Sequence, residues 1–368
     1  MPWLAKNRLW LLIVTGTLLW SLTIVKSGWI YSYGMGFWGA NGHDGIWHIS
    51  LIESLSRGSL AMPMFSGETI KNYHLGFDLI LAGLHRLTNI PVVNLYFQIA
   101  PPILAALIGW LTYRLTRNLW SVFFVYFGGN WAWILGRGES TFWSQASIST
   151  LINPPYALSL VVILVGLILL DKKRYLLAGL IFGFLVQIKI YAAILIIVGL
   201  GVAAIKNRHL FKTLIATLLI SLPLYLVTNR QSVALIVFQP GWFLETMMAL
   251  SDRLNWPRFY AAMTNYRAAG NWLKAIAAYA VALVIFVLGN LGTRLIFLAR
   301  KLNLFYTTII VLGVILPMLF LQSGTPWNTI QFFYYSLFFT SLLAGEYLKI
   351  GNWKLKIVIV LLTLPTTL

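Results

Sequence analysis

At 368 residues, with 59% of them hydrophobic, 10% charged and a mean hydropathy of +0.81, the chain is too apolar for a soluble domain of its size. The net charge of +18 falls mostly at the ends of apolar runs, which accounts for it without nucleic acid, and the absence of cysteine excludes a disulfide framework, a thiolate metal site and a cysteine nucleophile. Runs such as YALSLVVILVGLILL, Tyr156 to Leu170, are apolar on every side where a barrel strand would alternate, so a closed β-barrel is excluded and an all-α polytopic membrane protein is expected.

The first segment, Leu9 to Val25, follows Lys6 and Arg8 and lacks a small-x-small cleavage site, so it reads as a retained span. Basic clusters at Lys6/Arg8, Arg114/Arg117, Lys172/Lys173/Arg174, Lys206/Arg208/Lys212, Arg294/Arg300/Lys301 and Lys349/Lys354/Lys356 are expected inside the cell. Threading the chain so predicts eleven crossings, near 9–25, 92–113, 119–136, 155–171, 175–188, 190–205, 211–228, 272–291, 303–321, 328–347 and 355–368. Segment 74–90 carries Asp78, His85 and Arg86 and is expected to lie along the outer interface. Three long stretches, about 26–91, 137–154 and 229–271, then face outward with seven of the nine acidic residues: Asp44, Glu53, Glu68, Asp78, Glu139, Glu245 and Asp252. The last span runs to TLPTTL with no polar stop behind it, which reads as a piece of a longer protein.

Within the first outer loop, NGHDGIWHISLIESL predicts a short interfacial helix that opens at Asp44, where the positive end of the helix dipole favours an ionised carboxylate. Its polar residues, His43, Asp44 and His48, read either as reactive groups or as a helix cap with interfacial company. Their spacing is not that of a zinc protease. KNYHLGFDLILAGLHRL brings Lys71, Tyr73 and His74 ahead of an amphipathic helix, read as substrate contacts or as the polar rim of a membrane-surface helix. Arg137 and Glu139 follow a span directly, and either pair with each other or serve a ligand. Lys189 interrupts an apolar stretch from Tyr175 to Ala203 and must reach the interface or meet an anion, for which a phosphate is the natural counter-ion. Arg230, Arg253, Arg258, Arg267 and Lys274 occupy an outer segment that positive charge normally avoids, and guanidinium matches phosphate oxygens in shape.

In this order and sidedness the motifs resemble the GT-C membrane glycosyltransferases, the group of protein O-mannosyltransferases, aminoarabinose transferases and oligosaccharyltransferases. The resemblance covers roughly residues 1–210, a GT-C-like module with the external loop 27–91 and its two membrane-surface helices. Residues 211–368 form a variable module with the external loop 229–271. Asp44 matches the family's acidic position, NYHLGFDLILAGLHRL its second motif, Arg137-Gly-Glu139 its second external acidic motif, and GLIFGFLVQIKIYA its Gly-x-x-x-Gly segment. The sequence departs from the pattern at His74-Leu75-Gly76, where prolines are usual, and at Gln187-Ile188, beside Lys189.

The resemblance implies inverting transfer of a sugar from a polyprenyl-phosphate donor to an acceptor outside the plasma membrane. Asp44 would be the general base, and Lys189 with Arg253, Arg258 and Arg267 would hold the phosphate. His43, His48, Lys71, Tyr73, His74 and Arg137 would contact substrate, and Asp44 with Glu139 would bind the divalent cation, Mg or Mn, that some members use. Its partners would be the lipid-linked donor and membrane lipids. A lipid or solute transporter and a non-catalytic scaffold are the competing readings; a transporter places its ionisable groups near the midplane, whereas these gather at one face.

Overall fold

The computed structural model describes residues 2–142, 147–228, 236–300 and 303–367, and the described residues are mostly helical, with two short two-stranded antiparallel sheets. Among the described residues four helices are long and apolar enough to cross a bilayer, Val92–Thr116, Pro154–Asp171, Leu210–Thr228 and Trp272–Ala299. Apolar side chains also face outward, as lipid-facing helices require: Leu219 is 68% and Leu226 64% exposed, and Leu273 83%. The chain is a helical membrane protein, divided into two compact units, residues 1–122 with 148–232 and residues 123–147 with 233–368.

The first unit begins with α1, Pro2–Leu22, and a hairpin of β1, Trp29–Tyr31, and β2, Gly34–Gly36, in which Trp29 stands opposite Gly36. Two short helices follow, α2, Asp44–Ser56, and α3, Gly76–Thr88, and they pack on each other. They occupy the loop expected to carry two interfacial helices. Helix α3 buries Phe77, Asp78, Leu81 and Ala82 and exposes Leu79, Ile80, Leu84 and Leu87, so it has one face for protein and an apolar face left over for lipid. Helix α4, Val92–Thr116, widens into a π-turn over Leu95–Ile99 just before Pro101 and Pro102, whose nitrogens have no hydrogen to give to the preceding turn. Within that turn Gln98 Nε2 donates to the carbonyls of Val25 and Ser27, 2.7 and 2.8 Å away, and ties down the chain leaving α1.

The expected span at 119–136 is not one helix. Helix α5, Leu119–Phe127, stops at Gly128-Gly129, and a separate 3-10 turn covers Ala132–Leu135. Nine residues rise only about 14 Å, well short of a bilayer core. Helix α6, Pro154–Asp171, opens on two prolines with Asn153 as its cap, the Asn153 side chain accepting from the Tyr156 amide at 3.2 Å. Helices α7, Tyr175–Ile188, and α8, Ile190–Ala204, meet at Lys189, whose extended backbone (φ −158°, ψ 106°) breaks the run.

Helix α9, Leu210–Thr228, closes the unit against α7. The Gly-x-x-x-Gly of the sequence has a packing role here. A Cβ on Gly179 would stand 2.5 Å from the Thr213 carbonyl, and one on Gly183 2.5 Å from Ile220. Gly179→Val is therefore expected to cost about 1–3 kcal/mol by overpacking. Denaturant titration in detergent checks it, with Gly201→Ala, which has open room, as the neutral control.

The second unit pairs β3, Ile236–Phe238, with β4, Phe320–Gln322, in antiparallel register. It contains α10, Trp242–Ala249, α11, Pro257–Ala268, α12, Trp272–Leu291, which continues as a 3-10 turn to Ala299, α13, Leu304–Leu319, α14, Gln331–Ile350, and α15, Trp353–Thr363. Arg294 was read above as part of a basic loop cluster, and in the structure its side chain is buried. Its guanidinium is 1% exposed, donates to the Gly128, Gly129 and Asn290 carbonyls and reaches Ser341 Oγ at 2.8 Å and Ser147 Oγ at 2.7 Å. Where α5 breaks, the two glycines expose carbonyls that the helix no longer satisfies, and Arg294 supplies donors for them.

Candidate functional site

The polar residues of the first unit converge from five elements. Asp44 is the first residue of α2, and its carboxylate meets His43 Nδ1 at 2.7 Å in an open pair, the side chains 56% and 92% exposed. One helical turn later, on the same face, His48 is buried. Its Nδ1 lies 2.7 Å from Oδ1 of Asp78 on α3, a carboxylate with no exposure at all. The imidazole stacks on Tyr96 of α4 with ring centres 5.5 Å apart and meets Phe77 edge-on. Its Nε2 faces the Tyr73 hydroxyl at 3.4 Å.

Tyr73 and His74 come from the loop before α3, their rings 4.7 Å apart. A backbone bond anchors this loop, the Asn72 amide donating to the Thr228 carbonyl at 2.9 Å, and the Gln187 side chain in turn ties α7 to α9 by donating from Nε2 to the Leu224 carbonyl and the Thr228 hydroxyl. Gly76 packs on the Gln187 carbonyl too closely to admit a Cβ. Burial and the Asp78 carboxylate push the Tyr73 phenol far above its ordinary range, so it keeps its proton.

Burial, helped by the Lys189 charge, pushes the His74 imidazole down to about 3, and its Nδ1 finds no hydrogen-bond partner among the described residues. The unfolded chain then binds a proton at His74 that the folded chain refuses, so stability is complete above about 6.5 and falls as pH drops from 6.5 toward 3. Thermal unfolding across that window should show the loss, and His74→Gln should reduce it.

Lys189 comes from the break between α7 and α8. It is 5% exposed and caps α8, and its Nζ reaches Asn153 Oδ1, the cap of α6, at 3.4 Å. It has no ion pair among the described residues. The negative charges of Asp44 and Asp78 both act on it. The ammonium also lies over the Tyr191 ring, 6.0 Å from its centre, and it stands at the N-termini of α6 and α8, where helix dipoles favour an anion.

The other expected contacts lie elsewhere. Lys71 is half exposed and pairs with Glu68 at 3.2 Å. Arg137, Glu139, Arg253, Arg258 and Arg267 belong to the second unit. There Arg137 donates to the carbonyls of Arg253 and Leu254 at 2.8 and 2.7 Å, and Glu139 opens a 3-10 turn. Arg253 pairs with Asp252 at 2.9 Å, and Arg258 is exposed on α11. Arg267 pairs with Glu245 at 2.6 Å over the Tyr279 ring, and Lys274 lies over Tyr266. Arg230 and Lys301 lie outside the described residues. The described residues bring no three His, Asp or Glu side chains together as metal ligands, and Asp44 and Glu139 belong to different units.

Two members of the cluster were missing from the sequence-based site. Asp78 carried a signal, since a carboxylate on the apolar face of a helix needs a partner, but that partner is 30 residues away. Asn153 carried one too, an Asn before Pro-Pro at a helix start. No protein-family model, curated protein or solved structure matches the chain.

Proposed function

We propose that the chain is a GT-C-type inverting glycosyltransferase that takes a sugar from a polyprenyl-phosphate donor on the extracytoplasmic side of the plasma membrane. The observation that carries this reading is Lys189, a buried ammonium without an ion pair among the described residues, on which the charges of Asp44 and Asp78 act.

The chemistry suits these groups. Asp44 takes the proton from the acceptor hydroxyl, and the electron pair of that O–H bond forms the new bond to the anomeric carbon. The bond from that carbon to the phosphate oxygen breaks, its pair leaving on the phosphate, where Lys189 and the amides opening α8 stabilise it. Phosphate is already a good leaving group, so no general acid is required. Asp44 also stands open to a divalent cation held jointly with substrate phosphate, the usual arrangement for Mg.

The eleven-crossing topology is part of the same proposal, with the break at 119–136 leaving its third crossing to be made by something other than one continuous helix. Arg253 and Arg267 already hold carboxylates within the second unit, so in this reading Lys189 is the phosphate ligand.

The test is binding of a short-chain polyprenyl phosphate to the purified protein in detergent. Lys189→Met should weaken it about 10–100-fold, the worth of a charge-assisted hydrogen bond, with the unliganded protein still folded. Equal affinity in the two proteins would remove the phosphate reading.

A further inference from the structure

The hydrogen bonds around His48 run in one direction. An ionised carboxylate only accepts, so the 2.7 Å contact with Asp78 places the proton of a neutral His48 on Nδ1 and leaves Nε2 as an acceptor. Tyr73 then donates its O–H to Nε2, and the Trp47 ring meets the Tyr73 ring edge-on at 5.7 Å. The order Tyr73, His48, Asp78 leaves the phenol no hydrogen for anything else.

A second proton on His48 reverses one link. Nε2–H must donate, the Tyr73 oxygen becomes its acceptor, and the phenol O–H turns away to find another partner. Beside Tyr73, with ring centres 4.7 Å apart, lies His74, on which the Lys189 charge acts, so the released hydrogen belongs to the same group of residues as the buried ammonium. The titratable groups around His48 are Asp44 on its own helix, Asp78 on α3, Tyr73 and His74 on the loop, Tyr96 on α4 and Lys189 at the α7–α8 break.

We propose that Tyr73 is an anion-binding residue of this site whose hydroxyl is released for the anion when His48, held by Asp78, takes up a proton. Anion binding and His48 protonation are then reciprocal: whatever factor the anion adds to the proton affinity of His48, the proton adds to the affinity for the anion. The nature of the anion, a lipid phosphate, rests on the function proposed above, whereas the coupling does not.

The chain has only five histidines and no cysteine, which makes nitrogen-15 histidine NMR of the full-length protein in detergent practical, each ring assigned by single substitution. His48 would be titrated alone, with saturating farnesyl phosphate and with inorganic sulfate, an anion that does not itself titrate in this range. In the native protein either bound anion should raise the proton affinity of His48 about tenfold, the scale of one charge-assisted hydrogen bond. Tyr73→Phe, which keeps the ring, should cut that shift to about twofold, the remainder being the anion's charge acting through space. An undiminished shift in Tyr73→Phe, or an unmoved His48 titration with either anion bound, would overturn the coupling. Farnesyl phosphate that fails to bind while sulfate still shifts His48 through Tyr73 would remove the lipid-phosphate function and support the coupling. Failure of both anions to bind would overturn both.

Discussion

Replacing Asp44 by Asn is expected to lower sugar transfer by about a hundredfold or more, the usual contribution of a general base, while leaving the protein as stable as the parent. The geometry separates the two effects. Asp44 is more than half exposed and its partner His43 almost fully so, and such a pair contributes less than about 1 kcal/mol to folding. Asn keeps the shape and one oxygen at the start of α2, so the helix loses little. What disappears is the ability to accept a proton. The assay is release of polyprenyl phosphate from a lipid-linked sugar, with thermal unfolding run alongside. A variant retaining more than about a tenth of the rate would show that Asp44 only opens the helix.

The largest effect on stability is expected at Asp78. Asp78→Ala should cost about 2–4 kcal/mol, because it leaves a buried imidazole N–H without its acceptor and opens a hole under α3. His48 would keep its Nδ1–H with no acceptor. The companion experiment is His48→Phe combined with Asp78→Leu, which removes both polar groups and fills the space among Phe77, Tyr96 and Leu81. The double variant should recover most of the lost stability, giving a coupling energy of the order of 1–3 kcal/mol. Additive losses in the two single variants would mean that the 2.7 Å contact does not hold α2 to α3. The same double variant should remain folded yet bind anions without proton linkage, which separates the structural work of the pair from its part in the site.

Local patterns in the sequence were enough for most of the helices. Long apolar runs have one way to satisfy their backbone in a membrane, and the helices Pro154–Asp171, Leu210–Thr228 and Trp272–Leu291 follow the runs closely. The opening of α2 at Asp44, the surface position of Lys71 and the helix break at Lys189 are legible for the same reason, since each depends on neighbours a few residues away. The break after Phe127 was missed because Gly128-Gly129-Asn130 lies between apolar segments, and hydropathy counts glycine as nearly neutral. Burial of Arg294 was missed because the carbonyls that take its hydrogens come from residues more than 160 positions earlier.

The site divides along the same line. Sequence alone placed Asp44, His48, Tyr73, His74 and Lys189 on the list, because an ionisable group in an apolar chain is costly enough to stand out. Which of them meet, and which arginines turn to carboxylates of their own instead, was decided by packing: α3 laid against α2 brings Asp78 to His48, and Glu245 holds Arg267. A hydrogen bond depends on tenths of an ångström between groups far apart in the chain, and hydrophobic pattern carries no information at that scale.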